Sequence, residues 1–297
     1  MSMTGTVAPA RGSRAREVIR ELLRRPRAVF GLVVISAMVI CAVFAPWLMP
    51  HDPFAQNFEG LTLTGAPKPP GGDFSLGTDL LGRDLASRLI LGTRTSLIIG
   101  VVANGIAVVL GATVGITAGY FGGWTGAILM RLTDLIMAFP ALLLAIVLAA
   151  IFQPSLMIVA FAIAMVNWVQ MARVIYTETR SVTEREFIQV QRSIGSGPFR
   201  VLGRHVLPHL LSSIIVFGTL GISTTVMLEA TLSYLGVGVQ PPMPSWGNII
   251  FENQTYFTSA PWLVFFPSAL IVLLALSFNL VGDALRDVLD PTLKGRH

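Results

Sequence analysis

The sequence predicts an all-α, polytopic membrane protein with six transmembrane helices, and composition gives the first reason. Of its 297 residues, 53% are hydrophobic and only 12% are charged, whereas soluble domains carry about 25% charged residues. The mean hydropathy is +0.71. Apolar runs that approach or exceed the roughly 20 residues needed to cross a bilayer recur along the chain. A long polar insert, residues 171–209, separates two of these runs.

Six apolar segments supply the predicted spans. The third carries Arg131 and Asp134 in its first turns, and we expect these two side chains to pair at i,i+3. Gln153-Pro154-Ser155 predicts a tight break before the fourth. The predicted spans cover residues 28–48, 96–118, 124–152, 156–170, 210–232 and 261–281.

The distribution of lysine and arginine predicts the orientation of these spans. Seven precede residue 28, six lie in the insert and three follow residue 281, which places sixteen on one side of the membrane against four on the other. Positively charged loops stay in the cytoplasm, so both termini and the insert are predicted to be cytoplasmic. The net charge of +5 does not indicate nucleic acid, because the basic residues form short patches beside apolar runs.

Four regions follow from this layout. In residues 1–27, Val18, Ile19, Leu22 and Leu23 share one face of a predicted amphipathic helix. Such a helix would lie on anionic membrane lipids of the inner leaflet until Pro26 turns the chain inward. The other regions are the first span with an extracytoplasmic loop, the transmembrane core with the insert, and a cytoplasmic tail, at residues 28–95, 96–282 and 283–297.

The second half of the extracytoplasmic loop predicts a short surface helix over residues 78–91. Two acid-before-base pairs stand there at i,i+4, namely Asp79 with Arg83 and Asp84 with Arg88. Thr78 would cap this helix. We expect the helix to lie over the bilayer, separate from the second span.

The second span carries a stripe of small residues at every fourth position. The stripe consists of Ala103, Ala107, Gly111, Gly115 and Gly119. Small side chains let two helices approach closely in a membrane. The stripe therefore predicts a tight helix interface, within this chain or with a partner subunit.

The polar insert carries the strongest functional signal. Residues 181–184, Ser-Val-Thr-Glu, fit a capping box that would open a helix running to Ile194. The Gly-Ser-Gly-Pro sequence at 195–198 must break that helix. A second helix would run from Pro198 to about Val206, before Leu207-Pro208 breaks the chain again. Two capped helices outside the membrane predict a docking site for a separate motor.

Beyond these patterns, the chain resembles a known family. Gly195 and Leu207-Pro208 have the spacing of the cytoplasmic signature of bacterial ABC-importer permeases: Glu-Ala-Ala, three residues, Gly, nine residues, Ile, any residue, Leu-Pro. From about Ala28 to Pro291 the chain resembles the C-type permeases (the DppC/OppC kind) of dipeptide, oligopeptide and nickel importers. The motifs that carry the resemblance are LGTDLLGRD (76–84), MRLTDLIMAFPALLLAIVLAA (130–150), LSYLGVGVQPPMPSWG (232–247) and FNLVGDALRDVLDP (278–291).

The resemblance implies a type I ABC-importer permease bundle in a bacterial inner membrane. Its partners would be a homologous B-type permease, two ABC ATPase subunits that bind ATP and Mg²⁺, and an extracytoplasmic substrate-binding protein. This chain would hold no cofactor and would not be an enzyme, in keeping with the lack of a G-x-x-x-x-G-K-[ST] phosphate loop in its sequence. The ATPase-coupling residues would be Glu186, Gln189, Val190, Gln191, Gly195, Ser196, Gly197, Pro198, Arg200, Leu207 and Pro208.

The sequence departs from the family signature in the docking helix. The Glu-Ala-Ala positions are Gln189, Val190 and Gln191, and the Ile position is His205. A neutral amide thus replaces a carboxylate that could pair with a basic group on the ATPase, and a charge-assisted hydrogen bond is about twice as strong as a neutral one. We expect docking to depend more on shape, with Glu186 able to replace the missing carboxylate.

Polar residues inside the spans are candidates for the translocation path. Glu229, near the outer end of the fifth span, would meet the amino terminus of a peptide, or would instead be an interfacial carboxylate that bonds loop amides near Trp246. The other candidates are Asn167, Gln170, Ser223 and Thr224. Serine and threonine often bond the carbonyls of their own helix instead. The four histidines are scattered, so no metal site is expected.

Alternatives stay open at the level of sequence. Short peptides are the favoured substrate, but nickel or other metal chelates, glutathione, opines and oligosaccharides fit the same family. A stand-alone secondary transporter would show inverted repeats and ionisable groups near the bilayer centre. A membrane-embedded enzyme would need a nucleophile with a base, or a metal pair such as H-E-x-x-H. Neither pattern is evident in the sequence.

Overall fold

The computed structural model describes residues 11–152 and 155–289, and within these ranges the chain is helical, with isolated bridges in place of strands. Five helices are long and apolar enough to cross a membrane, and a bent pair raises the number to as many as six. The predicted all-α membrane fold is confirmed. The helices are α1 (Arg11–Leu23), α2 (Pro26–Val43), α3 (Ala45–Leu48), α4 (Leu85–Phe121), α5 (Gly123–Met137), α6 (Ala141–Ile151), α7 (Leu156–Thr183), α8 (Glu186–Ser193), α9 (Pro198–Val201), α10 (Leu207–Tyr234), α11 (Trp246–Asn253) and α12 (Trp262–Leu289).

The two ends of the bundle carry different segments. The insert side carries residues 184–206 together with α1, the start of α2 and the ends of α4, α7 and α12. The loop side carries residues 49–84 and 235–261. The predicted break at Gln153-Pro154 and the tail beyond residue 289 lie outside the described residues.

The helix α1 has the predicted amphipathic character, but one part of its apolar face packs within the protein. Val18 and Leu22 join an apolar cluster with Ala284 and Val288 of α12. Ile19 and Leu23 stay exposed beside that contact. The chain then turns at Pro26, which opens α2 as predicted.

The second span is far longer than predicted, because α4 is one continuous helix of 37 residues. The separate surface helix at 78–91 is therefore wrong, and so is Thr78 as its cap. The N-cap is Asp84, whose Oδ2 accepts a hydrogen bond from the Ser87 backbone N–H at 2.8 Å. The predicted pairing of Asp84 with Arg88 is also wrong, because the Asp84 carboxylate caps α4 and Arg88 pairs with Asp79 and Glu252.

The third span is broken rather than straight, since α5 and α6 meet at an angle of 89°. Pro140 stands at the N-cap of α6. The residue before a proline avoids the helical region, which explains why α5 stops at Met137 and the chain changes direction. The single helix predicted over residues 124–152 is therefore wrong.

The small-residue stripe of α4 packs against α7 of the same chain. A Cβ added at Gly111 would lie 2.6 Å from the Trp168 carbonyl oxygen, and one at Gly115 would lie 2.6 Å from the Ala172 carbonyl oxygen. The backbones are too close for any side chain at these positions. The tight interface is confirmed, and the structure places it within this chain.

The polar insert is shorter than predicted, because residues 171–183 continue α7. The predicted capping box is wrong: the Thr183 hydroxyl donates to the Arg180 carbonyl at 2.9 Å, which ends α7 and opens no new helix. At the other end a π-helical turn, Leu202–Val206, leads directly into α10. The predicted break at Leu207-Pro208 is also wrong, since a proline in the first turn of a helix lacks only an N–H that would have no partner there.

Candidate coupling surface and translocation cavity

The insert, residues 184–206, is fixed to the bundle by a buried apolar row. Ile188, Val201 and Val206 are fully buried. They belong to one cluster with residues from α4, α7 and α10 that includes Ala112, Met171, Ile175, Val182 and Leu210. The insert thus packs against three spanning helices.

Two aromatic contacts add to this anchorage. The Arg192 guanidinium lies 4.5 Å from the centre of the Tyr120 ring at the end of α4, where a cation over an aromatic face is attractive. Phe187 stacks on His209 of α10 with ring centres 5.6 Å apart. The insert is therefore a rigid extension of the bundle.

The opposite face of the insert exposes apolar side chains. Val190, Ile194 and Phe199 are 57%, 69% and 85% exposed, and together they form the outer apolar patch. A cluster of exposed apolar side chains outside the membrane marks an interaction site. This patch is the surface on the insert that is best suited to a protein partner.

The break between α8 and α9 lies where the sequence predicts it. Gly195 has φ +80°, which only glycine adopts freely, and Pro198 begins α9. The Ser196 hydroxyl donates to Gln191 Oε1 at 3.1 Å across this turn. Gln189 Nε2 donates to the Glu184 carbonyl at 3.1 Å. The side chains of both glutamines thus make hydrogen bonds within the insert.

The remaining predicted coupling residues divide between the insert and α10. Glu186, Gly197 and Arg200 are exposed on the insert. Leu207 and Pro208 instead form the first turn of α10. They join the insert to a spanning helix and do not lie on its outer surface.

Three of the predicted path residues line one cavity near the middle of the spanning helices. The midspan cavity has a volume of about 280 Å³ and lies between α4, α7 and α10. Asn167, Gln170 and Thr224 line it, together with Asn104 of α4. Sequence reasoning missed Asn104, although it is an isolated carboxamide within a long uncharged run. Its Nδ2 donates to the Gly218 carbonyl at 2.6 Å and so ties α4 to α10.

The other two predicted path residues do not line this cavity. Ser223 is buried, and Glu229 is fully enclosed by the protein. Glu229 accepts hydrogen bonds from the hydroxyls of Ser96 and Ser233, at 3.1 and 2.8 Å. In this structure Glu229 therefore does not face the midspan cavity, and its direct partners are serine hydroxyls, not loop amides.

An ion pair joins α5 to α7. Asp134 pairs with Arg173 of α7, so the predicted pairing with Arg131 is wrong. The two side chains stay about two-fifths exposed. Charged groups inside spanning segments face water or protein. We therefore expect this side of α5 and α7 to face a partner subunit or a water-filled path.

The loop side holds a charge cluster that sequence reasoning missed as a unit. Arg83 and Arg88 each donate through Nη2 to Glu252 Oε2, at 2.7 and 2.8 Å. Arg83 Nε also donates to Asp79 Oδ2 at 2.6 Å, so the predicted Asp79–Arg83 pair is present, in a loop. These four residues form the loop-side charge cluster. They join the loop of residues 49–84 to α4 and α11.

The structure offers no cluster typical of a metal centre in the part of the chain that it describes. Among these residues, no group of three or more His, Cys, Asp or Glu side chains is arranged to hold a metal ion.

Comparison with known proteins adds to this geometry. Residues 111–295 match the family of binding-protein-dependent transport system inner membrane components. Residues 13–70 match the N-terminal transmembrane domain of oligopeptide transport permease C. Both matches agree with the motifs noted in the sequence.

Curated relatives match almost the whole chain. The chain is 39% identical to the dipeptide transport system permease protein DppC of Alkalihalophilus pseudofirmus, over 94% of this chain and 90% of the relative. It is 39% identical to the glutathione transport system permease protein GsiD of Pectobacterium atrosepticum, over 94% and 91%. It is 36% identical to the oligopeptide transport system permease protein OppC of Bacillus subtilis, over 90% and 86%.

A solved structure shares the fold. The chain aligns with the MetNI methionine ABC transporter, in inward-facing conformations, with a TM-score of 0.54 and 17% identity. The alignment covers 69% of this chain and 97% of that chain.

Proposed function

The chain belongs to the family of binding-protein-dependent transport system inner membrane components, and we propose that, as the permease subunit of an ABC importer, it carries short peptides into the cell. Among relatives that match over at least nine-tenths of the chain, dipeptide, di/tripeptide and oligopeptide permeases predominate. The proposal also names the partners: a homologous B-type permease, two ATPase subunits and an extracytoplasmic binding protein.

The outer apolar patch is the observation that carries the coupling part of this proposal. Apolar side chains on a rigid protrusion in water are stabilised when a partner covers them. The insert is held by the ends of α4 and α10 and by α7, so a push on the patch would reach the spanning helices. An ATPase subunit that docks there could therefore change the arrangement of the bundle.

The distribution of charge supports the orientation in this proposal. The insert side has the high count of lysine and arginine, sixteen against four, and positive loops stay in the cytoplasm. With this orientation the insert meets ATPase subunits, and the loop side meets the binding protein. Both chain termini are then cytoplasmic.

The midspan cavity suits the chemistry of a peptide. Its polar lining consists of three carboxamides and one hydroxyl. A carboxamide both donates and accepts hydrogen bonds, as does the peptide group of a substrate. We propose that Asn104, Asn167, Gln170 and Thr224 form this chain's part of the translocation path.

Substitution on the outer apolar patch tests the proposal. Phe199→Asp would place a carboxylate where an apolar contact is needed, so we expect ATPase subunits to co-purify at least tenfold less well and ATP-driven dipeptide uptake by the assembled transporter to be lost. Phe58→Asp is the matched control, because Phe58 is 95% exposed on the loop side. Unchanged co-purification and uptake with Phe199→Asp would contradict the docking assignment.

Glutathione is the second candidate substrate, because a glutathione permease matches this chain at the same identity as a dipeptide permease. The uptake assay separates the two. Excess glutathione should leave uptake of a labelled dipeptide unchanged if short α-linked peptides are the substrate. Strong competition would favour glutathione.

A further inference from the structure

A second cavity opens on the insert side of the bundle. This vestibule has a volume of about 690 Å³ and lies between the ends of α7 and α12 and the start of α10. Its lining includes His209 and Ser213 and three ionisable side chains that carry charge, namely Glu178, Arg185 and Arg286. It therefore differs from the midspan cavity, whose polar groups carry no charge.

One side of α10 lines both cavities without interruption. His209 and Ser213 line the vestibule, Gly221 and Thr224 line the midspan cavity, and Phe217 lies between them. The positions 209, 213, 217 and 221 recur at intervals of four residues, so they share one face of the helix. The distance from His209 to Thr224 along the axis is about 22 Å at 1.5 Å per residue. This face of α10 borders open space from the insert side to the middle of the span.

Phe217 is the residue that the two cavities have in common. Its side chain is 40% exposed, although it lies in the interior half of a spanning helix. Val216 borders the vestibule and Leu220 borders the midspan cavity. Val216, Phe217 and Leu220 thus form an apolar step between the polar groups that α10 contributes to the two cavities.

We propose that Phe217 forms this chain's part of the constriction that closes the path between the midspan cavity and the vestibule. The proposal rests on the proposed function, in that it takes the two cavities as parts of one translocation path. An apolar constriction excludes water and therefore polar solutes. A large ring at the junction of the two cavities provides such a barrier, which opens when α10 moves with the insert.

Thiol labelling of the assembled transporter tests this assignment. The single cysteine, Cys41, is first replaced by serine, and Ser213→Cys or Thr224→Cys is introduced as a reporter. Membrane vesicles with the insert side outward are treated with a charged, membrane-impermeant methanethiosulfonate. The labelling rate of Thr224→Cys is first measured with ATP bound and without nucleotide. The variants are then compared in whichever of these two states gives the slower rate.

The constriction predicts a specific pattern of rates. Phe217→Ala should raise the labelling rate of Thr224→Cys at least tenfold and leave that of Ser213→Cys unchanged. Phe265→Ala is the matched control, because Phe265 is exposed on the spanning helix α12 and lines neither cavity. Phe217→Leu, which keeps a smaller apolar group, should give an intermediate labelling rate. This variant tests the constriction if Phe217→Ala fails to assemble.

The outcomes separate this inference from the proposed function. Equal labelling of Thr224→Cys with Phe217 and with its smaller replacements would overturn the constriction, even if dipeptide uptake is normal. A Phe217-dependent barrier in a transporter that takes up no peptide would instead contradict the substrate assignment alone.

Discussion

The two ends of the molecule distribute polarity in opposite ways. On the loop side, the charge cluster of Asp79, Arg83, Arg88 and Glu252 is largely buried. On the insert side, the outer apolar patch is exposed. Both arrangements reverse the usual placement of charged and apolar side chains, and each therefore needs an explanation.

The difference indicates which of these side chains are satisfied by contacts within this chain. Buried charges are tolerated where they are paired, and the loop-side charge cluster supplies both signs from within the chain. Exposed apolar groups outside a membrane are tolerated where a partner covers them. The loop-side charge cluster is thus balanced by contacts within this chain, whereas the outer apolar patch is where we propose that another subunit docks.

The largest expected effect comes from breaking the loop-side charge cluster. Arg88→Met would remove a guanidinium that is 1% exposed and leave both carboxylates to Arg83. Breaking a buried ion pair typically costs 3–5 kcal/mol, and we expect about 3 kcal/mol because Arg83 still contacts both partners. Unfolding titration of the purified transporter in mixed micelles measures this loss.

A double variant tests whether the cost arises from unbalanced charge. Arg88→Met combined with Glu252→Met leaves one acid and one base, Asp79 with Arg83, and should recover part of the stability. If the double variant were as unstable as the sum of the two single variants, the four residues would not act as one cluster.

A smaller effect is expected at the turn of the insert. Gly195→Ala places a Cβ in open space, because no atom lies within 4 Å, so its cost comes only from the backbone at φ +80°. We expect a local strain of about 1 kcal/mol. Relief of this strain would tilt α9 and lower ATPase co-purification, while the packing of the spanning helices stays intact.

Gly203→Ala is the matched control for the turn. Gly203 also lies in the insert with no atom within 4 Å of an added Cβ, but it does not have a positive φ. This variant should co-purify with ATPase subunits as the unchanged protein does. Equal losses in the two variants would show that the left-handed conformation at Gly195 is not the cause.

Local patterns predicted much of this architecture. Apolar length located the spans, the small-residue stripe predicted a tight helix interface on α4, and the glycine–proline pattern placed the turn at Gly195. These features depend on neighbours in sequence or on one helix face. Three of the five predicted path residues, chosen for their polarity within a span, line the midspan cavity.

The errors arose where distant residues decide the outcome. The charges at the start of α4 suggested a separate surface helix, because their partner Glu252 stands more than 160 residues away. The Ser-Val-Thr-Glu pattern is the same whether it opens a helix or ends one, and here the Thr183 hydroxyl bonds back to Arg180. Phe217 has no signal of its own in the sequence, since only the packing of α10 places it between two cavities.

The smallest effect is expected from an ion pair on the insert side, and it sharpens the comparison between the two ends. Arg25 pairs with Asp287 of α12, and the two side chains are 41% and 52% exposed. Water screens such a pair, so that exposed ion pairs contribute about 0–1 kcal/mol. Asp287→Asn should therefore lower the free energy of unfolding by less than about 0.5 kcal/mol in the same mixed-micelle titration as Arg88→Met. A loss as large as that of Arg88→Met would mean that the insert side also depends on ion pairs within this chain. The contrast between the loop-side charge cluster and the insert side would then fail.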